Sequence, residues 1–246
     1  TYEINQILSR LLRKFYIDLE NSTKNNDELK NKYMEKAYTI ITNVYGMPPE
    51  KFNFEYTDKN GKYHLDKNIS PKEFYDKYIG IDLQKDYVEI SCYQDEKIKY
   101  NNIYEEEESS RISGERNNIT LNLSPKEFQS LIIKQLKSNE PIYFYCSTTS
   151  KRIAGIWIDL MERYGDIFDI DLKLDNNSVQ KTNGLTNTHC MLITGANIID
   201  NKITKWKIEN SWGSEHGNKG YYVATNDWIN NYVYRIVINK NILSSK

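Results

Sequence analysis

Residues 188 to 213 contain the side chains of this sequence that are best suited to nucleophilic catalysis. They read THCMLITGANIIDNKITKWKIENSWG, with His189 at the start of the first of two strand-like runs and Asn210 near the end of the second. A histidine that serves a nucleophile as base needs a third group to fix its tautomer and orientation. A turn near residues 200–202 would bring Asn210 across a hairpin to His189, where the amide oxygen can accept the imidazole N–H. The stretch therefore predicts two members of a catalytic triad.

Trp212 follows Asn210 by two residues and would share its face of a continuing strand. Its indole would then shield the hydrogen bond between His189 and Asn210 from water. Because a neutral amide adds no charge, the pair suits a thiolate and imidazolium better than it suits a serine nucleophile. A single histidine in a strand more often has a structural role, and on these residues alone that alternative stays open.

The first part of the chain reads as helices and one β-hairpin. Apolar residues recur every three or four positions over residues 2–20 and 29–44, which predicts two helices packed as an antiparallel hairpin. Two alternating runs flank Lys59-Asn60-Gly61, a strong signal for a tight turn between strands. The sequence SPKEF occurs at 70–74 and 124–128, and each copy predicts a capped helix start with proline at the first helical position.

The chain from residue 141 onward is mainly strand, and one further strand is predicted earlier, at residues 86–93. Residues 153–165 (IAGIWIDLMERYG) predict a helix between the strands at 141–146 and 189–200. Earlier in the chain, the acidic run 105–108 lies in a predicted solvated loop over residues 101–118. The fold class is therefore α+β, with helices followed by an antiparallel sheet or barrel. The predicted strands are short and rich in β-branched and aromatic residues: 86–93, 141–146, 189–200, 203–212, 220–225 and 232–239.

Composition excludes several function classes. The 33 basic and 34 acidic residues of the 246-residue chain nearly cancel, so no field of one sign attracts nucleic acid or an anionic membrane. No apolar run is long enough for a membrane span. The three cysteines are too few and too odd in number for a disulfide framework, which favours a reducing, cytoplasmic compartment. His64, His189 and His216 do not combine with the cysteines at zinc-ligand spacing, so we expect no metal.

The motifs THCMLITGA and KWKIENSWG, together with GMPPEKFNFEY near residue 50, resemble the papain-like cysteine peptidases of the aminopeptidase C and bleomycin hydrolase family. The resemblance covers nearly the whole chain. It implies the C-terminal part of a papain-like fold, a thiol aminopeptidase activity on peptide substrates, and no cofactor. It also implies that His189 and Asn210 are catalytic, and that the nucleophilic cysteine lies in a Gln-…-Cys-Trp motif several hundred residues before them.

That motif is absent from this sequence, so we expect the nucleophile to lie in a missing N-terminal half of the same protein. Cys146 is the best of the three cysteines as a substitute, because CSTTSK could open a helix whose N-terminus lowers a thiol pKa. The family places a non-catalytic cysteine at the matching strand, however, and follows it with aspartate where this chain has Ser147. A buried, inert Cys146 is the favoured interpretation.

The resemblance divides the chain into a helical insert with a hairpin over residues 1–140 and a barrel half with the catalytic pair over residues 141–246. It also implies a homohexamer in which the helical insert makes subunit contacts. Family members continue into a C-terminal tail that anchors the substrate's amino group, whereas this sequence stops at NKNILSSK. Aminopeptidase and endopeptidase specificity therefore both stay open. A non-catalytic pseudopeptidase, or a module that binds a peptide or partner, is the alternative function.

Overall fold

A computed structural model describes residues 2–22, 26–106, 117–148, 152–153, 155–182 and 189–243. The chain forms two compact units, residues 1–80 and 81–246. The predicted division lay at residue 140. The structure divides the chain earlier, because strands between residues 87 and 122 pair into the same sheet as the strands near the C-terminus.

The first unit opens with the two predicted helices, α1 (Tyr2–Glu20) and α2 (Asn26–Tyr45). They contact each other through Phe15 and Tyr33, whose ring centroids lie 5.4 Å apart. Within α1 no residue is buried, and within α2 only Tyr33 is. The amphipathic pattern thus predicted the helices correctly, but their mutual contact leaves most of their apolar side chains exposed.

The predicted β-hairpin follows as β1 (Phe52–Thr57) and β2 (Tyr63–Ile69), which pair antiparallel. Next come a short helix α3 (Pro71–Phe74) and a π-helical turn over Tyr75–Ile79. The Ser70 hydroxyl and the Glu73 carboxylate form the predicted capping box at the start of α3. Phe54 packs against the rings of Phe74 and Tyr78, each at 4.7 Å between centroids, and this aromatic cluster joins the hairpin to the helix.

The turn of this hairpin is organised by one carboxylate. Asp58 accepts hydrogen bonds from the backbone N–H groups of Asn60 and Lys62 and lies 2.9 Å from Nε2 of His64. The bond with His64, followed by those from the two backbone N–H groups, holds the pKa of Asp58 below its ordinary value.

A carboxylate whose pKa is depressed by folding stabilises the fold above its unfolded pKa of about 3.9, and that contribution is lost as the pH falls through the folded pKa. We therefore expect the amide protons of Asn60 and Lys62 to lose protection from hydrogen exchange only after the pH has fallen below the ordinary carboxyl pKa of about 3.9. An Asp58→Asn variant should lose this pH dependence. An unchanged pH profile in the variant would contradict the assignment.

A mixed sheet dominates the second unit. Ten strands belong to it, counted among the described residues: β3 (Tyr87–Ser91), β4 (Asn102–Glu105), β5 (Ile119–Asn122), β6 (Ile142–Cys146), β7 (Arg152–Ile153), β8 (Ile156–Trp157), β9 (His189–Ile199), β10 (Lys202–Glu209), β11 (Tyr221–Thr225) and β12 (Val233–Asn239). Their order in the sheet is β4-β5-β3-β12-β6-β9-β10-β11-β8-β7. Most neighbours are antiparallel as predicted, but β3 with β5 and β11 with β8 pair in parallel.

The main helix of this unit, α5 (Pro125–Lys137), packs on one face of the sheet. It begins with the second predicted capping box, formed by Ser124 and Glu127. Its buried residues Phe128 and Ile132 join the core with Phe144 of β6 and Ile236 of β12. The remaining helices are α4 (Leu83–Asp86), α6 (Leu160–Phe168), α7 (Asn176–Lys181), α8 (Asn226–Tyr232) and a 3-10 turn at Lys240–Ile242.

Two predictions in this unit were wrong. Residues 153–165 do not form one helix: Ile156 and Trp157 pair with β11, and α6 begins only after Asp159, whose carboxylate accepts from the N–H of Met161. The predicted loop over 101–118 includes strand β4, which pairs with β5. Of its acidic run, Glu105 lies in β4, Glu106 forms an ion pair with Arg235 at 3.1 Å, and residues 107–108 lie outside the described residues.

Candidate active site

The candidate pair is carried by the longest hairpin of the sheet. His189 begins β9, and Asn210 comes directly after β10. The strands are joined at Asp200 and Asn201, both in the left-handed backbone region, with φ of 49° and 61°. Such a turn matches the twist of paired strands. As the hairpin prediction required, the start of β9 thereby lies beside the end of β10, where Leu192 pairs with Glu209.

The His189 ring meets the Asn210 amide directly. Nε2 of His189 lies 2.9 Å from Oδ1 of Asn210, and Oδ1 also accepts from the backbone N–H of Ser211 at 2.8 Å. The bond from Ser211 identifies the atom facing His189 as the amide oxygen, which can only accept. Nε2 therefore carries the proton, and the neutral imidazole has its lone pair on Nδ1. Asn210 is 7% exposed, so little water competes for this hydrogen bond.

Trp212 covers the pair, but not by the predicted route. Its indole stacks on the His189 ring with centroids 5.3 Å apart and planes inclined by 23°. β10 has already ended at Glu209, so Trp212 reaches the imidazole from a turn instead of a continuing strand. The indole is 41% exposed. One of its faces therefore shields the histidine while much of the rest meets solvent.

The turn that carries Asn210 and Trp212 is closed at its base. The Asn210 N–H donates to the Gly220 carbonyl at 3.0 Å, and the Gly220 N–H donates to the His216 carbonyl at 2.8 Å. Gly217 has φ of 62°, and a Cβ there would lie 2.5 Å from the Tyr221 carbonyl oxygen. Only glycine fits such a position. The fold of this turn therefore requires the glycine at position 217.

An aromatic cluster beneath Trp212 supports it and was not foreseen from the sequence. Trp157 of β8 lies 6.4 Å from Trp212 and 5.2 Å from Trp228 of α8, and Tyr222 of β11 lies 6.0 Å from Trp212. The sequence predicts a helix over residues 153–165, whereas Trp157 pairs with β11. The signal that could have found it is the short apolar run Ile156-Trp157-Ile158 directly before Asp159, a residue typical of a helix N-cap.

Each of the three cysteines is unsuited to serve His189. Cys146 is fully buried, and its thiol lies 3.6 Å from the His189 carbonyl oxygen instead of the ring. Burial raises the pKa of Cys146, and it raises the pKa of Cys92 to about 12. Cys190 adjoins His189 along β9, so its side chain points to the opposite face of the sheet. On that face the Cys190 thiol forms a hydrogen bond with the Tyr143 side chain, and this bond raises the pKa of Tyr143 to about 12.

Within the described residues, no group of three or more His, Cys, Asp or Glu side chains is arranged to hold a metal ion. None of the helices described above combines the length and the apolar character needed to cross a membrane.

The chain is similar over nearly its whole length to known peptidases. The model of the Peptidase C1-like family matches residues 1–246. Aminopeptidase C of Lactobacillus helveticus is 38% identical over 248 residues, which cover 98% of this chain and 55% of the relative. Aminopeptidase C of Lactobacillus delbrueckii subsp. lactis is 35% identical, with 98% and 55% covered. The crystal structure of PepW from Lactobacillus rhamnosis matches with a TM-score of 0.88 and 33% identity, covering 99% of this chain and 56% of that one.

These matches confirm the resemblance to papain-like cysteine peptidases and the α+β fold class. The chain spans about half the length of the curated relatives that it matches. Because the family model matches residues 1–246, this chain belongs to the Peptidase C1-like family.

Proposed function

We propose that this chain supplies the acid–base pair of a thiol aminopeptidase whose nucleophilic cysteine lies on a polypeptide segment outside it. One observation carries the proposal: the hydrogen bond from His189 to Asn210 under the Trp212 indole fixes the tautomer that a thiol nucleophile requires. The position of the three cysteines supports an external nucleophile. The names of the relatives, aminopeptidases C, support peptides as the substrates.

In the proposed reaction, Nδ1 of His189 takes the proton of the nucleophilic thiol, and the thiolate attacks the carbonyl carbon of the peptide bond. The tetrahedral intermediate collapses, the C–N bond breaks, and the imidazolium returns the proton to the leaving amine. His189 then deprotonates a water molecule that attacks the acyl-enzyme, which releases the carboxylic acid and restores the thiol. Asn210 keeps the ring oriented throughout. No step requires a metal or an organic cofactor.

The proposal also includes the cellular location and the assembly of the enzyme. Two thiols, Cys92 and Cys146, are buried and none of the three cysteines forms a disulfide, which supports a cytoplasmic location. We further propose a homo-oligomer, a hexamer by family resemblance, joined to the polypeptide that carries the nucleophile. Neither nucleic acid nor a membrane is a proposed partner. The alternative, a pseudopeptidase or peptide-binding module, is favoured only if no nucleophile can be supplied.

A complementation assay tests the proposal. The purified chain should not hydrolyse an aminoacyl fluorogenic substrate, because its acid–base pair has no thiol to activate. Adding the part of Lactobacillus helveticus aminopeptidase C that lies outside the matched 55%, here named the complementing fragment, should produce turnover. We call the mixture the assembled peptidase. Thiol-dependent turnover by the chain alone, or a mixture that is inactive although both parts fold, would contradict the proposal.

A further inference from the structure

The short helix α6 exposes its apolar face to solvent. Tyr164, Ile167 and Phe168 lie three and four positions apart, so they share one face of the helix. Ile167 and Phe168 are 65% and 66% exposed, whereas only Leu160 and Gly165 are buried among the helical residues whose burial is described. A nine-residue helix gains its stability mainly from packing of its apolar face. That face of α6 lacks a cover among the described residues.

The stretch that follows α6 has the same property. Residues 169–174 read DIDLKL, an alternation typical of a strand with one buried face. In the structure the stretch forms no strand, and Ile170, Leu172 and Leu174 are 56%, 37% and 46% exposed. Apolar residues scattered singly on a surface are ordinary, but a contiguous group marks an interaction surface. We name residues 160–174 the apolar segment.

The apolar segment is firmly attached near the candidate active site. Its start is fixed by Asp159, which is 5% exposed and accepts a hydrogen bond from the Tyr232 hydroxyl at 2.7 Å. Two positions earlier stands Trp157, which packs against Trp212. Trp212 in turn stacks on His189. A polypeptide that covers the apolar segment is therefore linked through two indoles to the catalytic pair.

Charge indicates what kind of partner fits. Three acidic residues, Asp166, Asp169 and Asp171, border the exposed apolar side chains. The basic residues beside them are two, Arg163 and Lys173. The border is thus acidic on balance, and a complementary surface carries Lys or Arg around an apolar centre. Such a contact weakens as salt is added, because exposed charges are screened.

We propose that the apolar segment is the docking surface for the polypeptide that carries the nucleophile. This inference rests on the proposed function, which requires such a polypeptide, and on the relatives, whose chains are nearly twice as long as the matched part. Docking here covers the exposed faces of α6 and residues 169–174 and buries the side chains that this chain leaves in water.

A binding measurement with the complementing fragment tests the docking surface. The variant Ile167→Ser/Phe168→Ser changes two exposed residues, so the chain should fold as before. Its affinity for the fragment should fall by about a hundredfold, as expected for apolar side chains at the centre of an interface. The matched control is Ile198→Ser/Ile199→Ser at the far end of β9, where the two residues are 48% and 55% exposed, and its affinity should not change.

The outcomes separate the docking surface from the proposed function. Equal affinities for the two variants, or no binding of the unmodified chain, would overturn the docking surface. Self-association of the chain in sedimentation that the Ile167/Phe168 variant abolishes would assign the segment to a second copy and also overturn it. If turnover of the assembled peptidase depends on His189 but is unchanged in the Ile167/Phe168 variant, the result supports the proposed function and contradicts the docking surface. If the Ile167/Phe168 variant loses binding but the unmodified mixture shows no turnover, the result supports the docking surface and contradicts the proposed function.

Discussion

Replacing His189 with Ala is expected to lower the turnover of the assembled peptidase by about 10³-fold or more, because the same imidazole acts as base and then as acid. Asn210→Ala should cause a smaller loss, since it removes the group that orients the ring but leaves the ring in place. Both losses should appear in kcat and kcat/KM together, because the interactions concerned are made during the reaction.

The matched control for this measurement is His64→Gln. His64 lies in the other unit, where it bonds Asp58, and its loss should leave the turnover of the assembled peptidase unchanged. Circular dichroism would confirm that each variant is folded. A His189→Ala enzyme that keeps most of its turnover would remove His189 from the proposed mechanism.

Gly217→Ala is expected to have the largest effect on stability, lowering the free energy of unfolding by about 2–4 kcal/mol. Its φ of 62° disfavours any side chain, and the added Cβ would lie 2.5 Å from the Tyr221 carbonyl oxygen and 2.9 Å from the Tyr222 ring. Because both neighbours belong to β11, the backbone of the turn must move. Asn210 and Trp212, which the turn carries, would move with it.

Gly213→Ala is the matched control. Gly213 also has a positive φ, 91°, but nothing lies within 4 Å of the position that its Cβ would take. We expect a loss of about 1–2 kcal/mol, from the backbone conformation alone. Urea unfolding of the two variants measures the difference. Equal losses would show that the close approach to β11 contributes nothing.

Local signals in the sequence predicted local structure well. The two SPKEF motifs predicted capping boxes that Ser70 and Ser124 form as expected, because the bonds join residues three positions apart. The turn near residues 200–202 was also predicted from neighbouring residues, and the structure forms it at Asp200 and Asn201. The hairpin that this turn makes was enough to bring His189 to Asn210.

Pairings between distant residues were not predictable in this way. Ile156 and Trp157 pair with a strand some 65 residues away, and that contact overrides the helical pattern of the sequence around them. The parallel pairing of β3 with β5 is equally invisible to local alternation. The prediction that Trp212 covers His189 is confirmed, but the predicted reason is wrong. The strand ends at Glu209, and the turn that follows it brings the indole to the same imidazole.

The central claim is that His189 and Asn210 serve a thiol that is not among the cysteines of this chain. The most direct test asks which part of the assembled peptidase carries the reactive thiol. Replacing Cys92, Cys146 and Cys190 with Ala, together or one at a time should the triple variant not fold, is predicted to leave turnover intact. Treating the complementing fragment with iodoacetamide before mixing is predicted to abolish it. Loss of turnover in a folded cysteine variant, with no effect of treating the fragment, would contradict the account.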